Sequence, residues 1–337
     1  MNKRTILIIL VAVLQLVVVV SMAMHREWIV QHGETLHVRT MPVDPRDIFR
    51  GDYVRLDYEI SHLPKSLWAE DIKKHPRINA DYGNERDLRV YTVLEAAPGS
   101  NLAKAVQVSS ERPETGTFIR GRIERCRGDV MHVNYSIGAL FVEQGKALKS
   151  ENKMRQDAGM RVPMEIEIGL GKDGIAVIKG YRWSPLGIGL EIERDENNRP
   201  ASARLTLLNC SSSPLGIIDL PEGQSFKLSR DFRNMYRENK WQWVGREERM
   251  EVSEKHIVVL KPDESHETDI NFDDPSWYIT KGDKVNSLNK PRPDSRRQRF
   301  RFIYDPPPPA EIDDVPNSDI LWHGELRTTT FRGARVD

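Results

Sequence analysis

From Ile6 to Met24 every position is apolar except Gln15 and Ser21. At about 1.5 Å per residue that run makes a helix of roughly 28 Å, close to the ~30 Å hydrocarbon core of a bilayer. No polar face interrupts it, so it does not read as a helix packed on a soluble core. It is also longer than the ~7–15 residues of a secretory h-region. The run therefore reads as an uncleaved anchor over residues 5–24. Ser21-Met22-Ala23 resembles a small-x-small cleavage site and keeps a cleaved signal open as the rival. Lys3 and Arg4 flank one end, and Arg26 is offset by Glu27 at the other. That bias places the N-terminus in the cytoplasm and residues 25–337 outside.

After Met24 strand-like runs dominate. Trp28 to Gln31 and Thr35 to Met41 read as a first pair around Gly33. Arg89 to Ala96, Ala103 to Ser109, Thr117 to Glu124 and Val130 to Tyr135 are short, β-branched or aromatic, and bounded by turn residues. Glu165 to Ile168 and Ile175 to Lys179 flank Gly171-Lys172-Asp173-Gly174, a hairpin turn signal. Two stretches look helical, Lys65 to Lys74 and the polar Lys146 to Asp157. The register changes near Trp183-Ser184-Pro185-Leu186. Beyond it come Ala203 to Asn209, Leu215 to Leu220, Trp241 to Glu247, His256 to Leu260, Thr268 to Phe272 and Arg297 to Tyr304, at the spacing of a β-sandwich. Arg297, Arg299 and Arg301 alternate with Phe300 and Phe302, a half-buried strand with aromatics inward and a solvated basic face. Pro306 to Pro309 is a stiff, polyproline-like segment.

Charge and composition narrow the function classes. Lys+Arg and Asp+Glu number 50 each, which removes the basic excess of a nucleic-acid binder. Two cysteines exclude a disulfide framework and a four-cysteine zinc site. In an oxidising compartment Cys126 and Cys210 read as two buried thiols, with an interdomain disulfide as the alternative.

The most specific string is residues 44–60. Asp44 suits an N-cap, Pro45 the first helical position and Asp47 the first turn, so one turn of helix runs to Arg50. Gly51 can end it. From Asp52 the pattern alternates, with Val54, Leu56, Tyr58 and Ile60 on one face and Tyr53, Arg55, Asp57 and Glu59 on the other. Gly51, Asp52, Tyr53, Leu56 and Tyr58 match in full the string that names the GDYXXLXY proteins, and the chain resembles that family. Val133 to Gly138, Phe141 to Glu143, Gly145-Lys146 and the hairpin from Met164 to Lys179 are similar to its later block. Where the family more usually shows Tyr-Gly-Ile-Glu, this chain has Tyr135-Ser136-Ile137-Gly138. The resemblance covers roughly residues 1–182. It implies an N-terminally anchored, exported bacterial protein of unknown biochemical function, often a companion of multi-pass membrane proteins. It brings no catalytic residues.

The second half resembles an immunoglobulin-like sandwich in Leu205 to Ser211, Trp241 to Val244 and Val259 to Glu264 leading into Ile270 to Phe272. It lacks the Cys-Trp-Cys arrangement of antibody domains. The expected fold class is mainly β with few helices. An anchor (1–24) precedes a β-rich domain (25–183) and an immunoglobulin-like sandwich with a Pro-rich extension (186–337).

Candidate chemistry is sparse. The nine histidines show no HExxH and no paired His or Cys at metal spacing. His32 and His37 differ by an odd number and would face opposite ways on one strand. Asp195 to Asn198 reads as a hairpin turn, and Asp273-Asp274 as turn chemistry before Pro275. Ser109-Ser110 and Ser211 to Ser213 have no nucleophile-elbow context. Thr40-Met41-Pro42 followed by Gly51-Asp52-Tyr53-Val54 faintly resembles the serine and Gly-Asp segments of signal peptidases, with Thr40 replacing the serine. Exposed Trp241, Trp243 and Trp277 would favour a carbohydrate- or ligand-binding module, although burial is the default for sandwich tryptophans. No catalytic, cofactor or metal residues are assigned. The expected role is a tethered, non-catalytic protein in the bacterial inner membrane, its body periplasmic or extracellular, contacting a membrane or envelope partner. An envelope hydrolase and a ligand-binding module are the alternatives.

Overall fold

The computed structural model describes residues 3–41, 53–75, 87–96, 102–127, 130–141, 159–230, 242–243, 251–273, 277–281, 284–287, 299–307, 312 and 315–332. The chain is mainly β and is headed by one apolar helix, α1 (Lys3–His32). Its 30 residues extend about 45 Å. The helix is long and apolar enough to cross a membrane, and none of its apolar window is buried against the rest of the chain.

The helix outlasts its greasy run, which corrects the strand expected over Trp28 to Gln31. Two pairs four residues apart extend it. Gln31 donates to Glu27 at 2.7 Å, and Trp28 stacks on His32 with centroids 4.0 Å apart. Ile29 on this last turn is 1% exposed. Gly33 follows at once, its N–H bonded to the Ile29 carbonyl at 2.8 Å. A Cβ on Gly33 would lie 2.5 Å from that same oxygen, so glycine is required at the turn.

The chain passes directly into a four-stranded antiparallel sheet ordered β11 (Ala176–Trp183), β10 (Met164–Leu170), β1 (Glu34–Met41), β3 (Asp57–Tyr58). The expected turn at 171–174 joins β10 to β11, with Gly174 at φ +78. A five-stranded sheet is ordered β4 (His62–Pro64), β8 (Val130–Asn134), β7 (Phe118–Arg127), β5 (Arg89–Ala96), β6 (Ala103–Ser109). β2 (Tyr53–Arg55) pairs with β9 (Ala139–Phe141). Leu36, Val38, Ile119, Ile123, Met131, Ile166 and Ile168 belong to the cluster these sheets enclose.

The amphipathic stretch after Asp52 is cut into pieces rather than forming one strand. β2, β3 and β4 each join a different sheet, and a 3-10 turn at Glu59–Ser61 separates the last two. The alternation nonetheless survives, because Leu56, Tyr58 and Ile60 are buried while Asp57 and Glu59 are half-exposed. The helix expected over Lys65 to Lys74 is a 3-10 turn (Lys65–Leu67) and a four-residue α2 (Glu70–Lys73). Trp68 interrupts it: its ring N–H donates to the Leu63 carbonyl at 3.1 Å, and the next N–H goes to Val108 at 2.9 Å. Lys146 to Asp157 and the capped turn at 44–50 lie outside the described residues.

From Leu186 onward, β12 (Leu186–Arg194), β13 (Pro200–Asn209) and β18 (Ser265–Asn271) form one sheet, and β14 (Leu215–Ile218) pairs with β17 (Ile257–Leu260). β15 (Phe226–Arg230), β22 (Leu326–Arg327) and β23 (Phe331–Arg332) all pair with β21 (Arg299–Tyr304). β16 (Gln242–Trp243), β19 (Tyr278–Lys281) and β20 (Lys284–Ser287) make a small sheet. These strands enclose a second, aromatic cluster including Phe272, Trp277, Phe302, Tyr304 and Phe331. Trp277 is buried, packed edge-on to Phe302 at 5.4 Å. Arg301 departs from the expected solvated face, being only 9% exposed.

Candidate functional site

The motif residues that can be placed act as anchors. Gly51 and Asp52 lie outside the described residues, and Tyr53 opposes Phe141 in β2. The Leu56 N–H reaches the Gly138 carbonyl at 2.9 Å, and its side chain is buried. The Tyr58 hydroxyl donates to the Ile137 carbonyl at 2.6 Å. Burial, reinforced by the neighbouring Asp57 charge, holds its phenol far above the ordinary value. Tyr135 donates to the Ile60 carbonyl at 2.8 Å and bonds the Thr92 hydroxyl at 2.8 Å. Two buried tyrosines therefore fix the segment 56–62 from both sides.

Between them one polar group is thrown outward. Asp57 meets two histidines, one from β4 and one from β8. His62 and His132 are directly opposed in the antiparallel β4–β8 pair, which puts both imidazoles on one face. The 3-10 turn at Glu59–Ser61 separates Asp57 from β4, and Asp57 lies within reach of both rings. Asp57 Oδ2 lies 2.7 Å from His62 Nε2, and Oδ1 lies 3.3 Å from His132 Nε2. The imidazole centroids are 4.7 Å apart, edge to face. One donor atom from each of the three residues lies within 4.8 Å of the others. Asp57 is also oriented from behind, since its Oδ1 accepts the Tyr58 N–H at 3.0 Å.

A fourth residue is aimed by an irregularity. In β7 the register slips between Ile123, which faces Val133, and Arg125, which faces His132, so Glu124 is the extra residue of a bulge. Its Oε2 sits 2.6 Å from the buried His132 Nδ1, a close contact without hydrogen-bond geometry. Burial works against charge on Asp57. Hydrogen bonds from His132 and His62 and their positive charge outweigh it and hold the carboxyl far below the usual carboxylate range. Among the described residues this is the cluster able to hold a metal ion.

Asp57 and His62 lie five residues apart, but no short spacing links them to His132, which meets His62 only once β4 and β8 pair. The available signal was the polar face of the motif strand, on which Asp57 stands. The remaining candidate chemistry is structural where it can be placed. The Thr40 hydroxyl is buried and donates to the Met164 carbonyl at 2.9 Å. Ser109 and Ser110 hold Asp71, their hydroxyls 3.0 and 2.6 Å from its Oδ2, and so pin α2 to the end of β6. Asp195 closes the expected turn by accepting the Asn197 and Arg199 N–H groups. Cys126 and Cys210 are half-buried. His32 lies on α1, not on a strand.

Fold and site together describe a β-rich chain carried on one apolar helix, with a small histidine–carboxylate cluster beside a tyrosine-anchored turn. Residues 15–180 match the GDYXXLXY protein family, a match that supports the family for the first half of the chain. It takes in the later part of α1, the motif and all four residues of the cluster. Neither a curated protein nor a solved structure matches the chain.

Proposed function

We propose that this is a membrane-tethered extracytoplasmic protein whose β-rich body works through contact with a membrane or envelope protein. The observation that carries the tether is the exposure of the whole apolar window of α1 on a helix that runs unbroken into the folded body. Lys3 and Arg4 ahead of it favour a cytoplasmic N-terminus and a periplasmic or extracellular body in an inner membrane. The domain division at about residue 184 is supported by two apolar clusters that share no residue. An immunoglobulin-like second domain is the reading proposed for the later strands.

A carboxyl-terminal alkaline phosphatase fusion is expected to be active, and the full chain to stay in the membrane after a salt wash. A fluorescent cytosolic reporter in its place, or full-length soluble protein, would sink the proposal. Intact mass separates anchor from signal, because cleavage near Ala23 removes the helix. Solubilised protein is expected to carry a multi-span partner, and isolation alone in every detergent would count against the contact role. The hydrolase alternative loses ground because Thr40 is buried and already bonded, and the tryptophan platform because Trp277 is core.

A further inference from the structure

We infer that Asp57, His62 and His132 form a binding site for one divalent transition-metal ion of the zinc class, with Glu124 orienting His132. The inference stands on geometry that the tethering role does not use. A tetrahedral ion bound at about 2.0–2.1 Å needs donor atoms about 3.3 Å apart. Asp57 already approaches the histidine nitrogens at 2.7 and 3.3 Å, so slight spreading admits an ion. Two imidazoles and one carboxylate are the donor set of zinc-type sites that keep a position open, and not of calcium or magnesium sites, which take oxygen. The side chains of Asp57, His62 and His132 are 25%, 30% and 15% exposed, which leaves a side facing solvent for water.

The bulge supplies the stronger argument. The Glu124 carboxylate, 2.6 Å from His132 Nδ1, stands where a carboxylate orients a metal-bound imidazole from the ring nitrogen opposite the metal. The other ring nitrogen, His132 Nε2, faces Asp57 Oδ1 at 3.3 Å. A metal ion placed there engages Asp57, His132 and the adjacent His62 Nε2 together. By contrast Asp219 and His266 are 2.7 Å apart with Thr268 as a further neighbour of Asp219, and among the described residues they belong to no group of three possible metal ligands.

The test uses the full chain in detergent, stripped with chelator and titrated with Co2+ and then Zn2+. One Co2+ per chain is expected, with a visible spectrum of nitrogen and oxygen ligation, displaced by Zn2+ and untouched by excess Mg2+ or Ca2+. His62→Gln and His132→Gln should each abolish that spectrum, and His266→Gln should keep it. Glu124→Gln, which leaves the three ligands in place, should weaken Co2+ about 10–100-fold. Absence of saturable Co2+ binding by the parent would overturn the inference. So would a thiolate charge-transfer band implicating Cys126 or Cys210, or an unchanged spectrum in the folded His62→Gln, His132→Gln double variant. If the histidine variants misfold, an unaltered affinity in Glu124→Gln overturns it instead.

Discussion

Tyr58 shows how one hydroxyl can hold a motif in place. Its bond to the Ile137 carbonyl is buried, so removing the hydroxyl leaves an acceptor with no water to replace it. Tyr58→Phe is expected to cost about 1–3 kcal/mol, read as a lower urea midpoint at unchanged slope. A second residue makes stability depend on pH. The hydrogen bond from His266 to Asp219, opposed by partial burial, raises the imidazole above its ordinary value of 6.5. The folded state thus prefers the protonated ring. Its contribution is complete below pH 6.5, the ordinary value, and is lost as pH rises through the higher folded value. His266→Gln should therefore destabilise by about 1 kcal/mol near pH 6 and by much less near pH 9, measured as paired urea midpoints.

At the scale of elements, local pattern located most of the strands and failed where tertiary contacts decided. β1, β5, β6, β13 and β18 stand close to their expected places because alternation and bounding turn residues mark them. β12 is weakly marked in the sequence because Gly187 and Gly189 dilute its strand character. The end of α1 carries the opposite signal, since Trp28, Ile29 and Val30 are strand-like residues placed on a helix. Packing overrules them: the β10–β11 hairpin receives Ile29, and a Cβ on Gly169 would come 2.9 Å from the Ile29 carbonyl. Ile29→Ala should cost about 2–5 kcal/mol and speed amide exchange at Gly33, whose N–H depends on that turn. The candidate site was legible only as Asp57 on a polar strand face. Its histidines come from strands whose pairing no local rule supplies.

Across the whole molecule, the two halves meet along residues 324–328. Arg39 in β1 donates to the Glu325 carbonyl and pairs with Glu165 at 2.9 Å, both side chains almost wholly buried. Lys104 lies 3.6 Å from Glu325, and Arg327 lies 3.6 Å from Glu59, two residues beyond Asp57. Arg161 adds a bond to the Thr328 carbonyl at 3.2 Å. Arg39→Ala leaves Glu165 with Arg182 at 2.8 Å and strips the seam of its buried cation. Because Glu165 stays paired, the expected loss is about 1–3 kcal/mol, from the Glu325 carbonyl left without its donor, and calorimetry should separate the melting of the two clusters.

The join between α1 and β1 has a mechanical consequence. Ile29 is wedged under the hairpin, and Gly33 hands the chain straight into the sheet, so rod and body share no swivel. Twist or tilt applied at the far end of the rod is delivered to the sheet undiminished, as a key turns a lock rather than as a string leads a balloon.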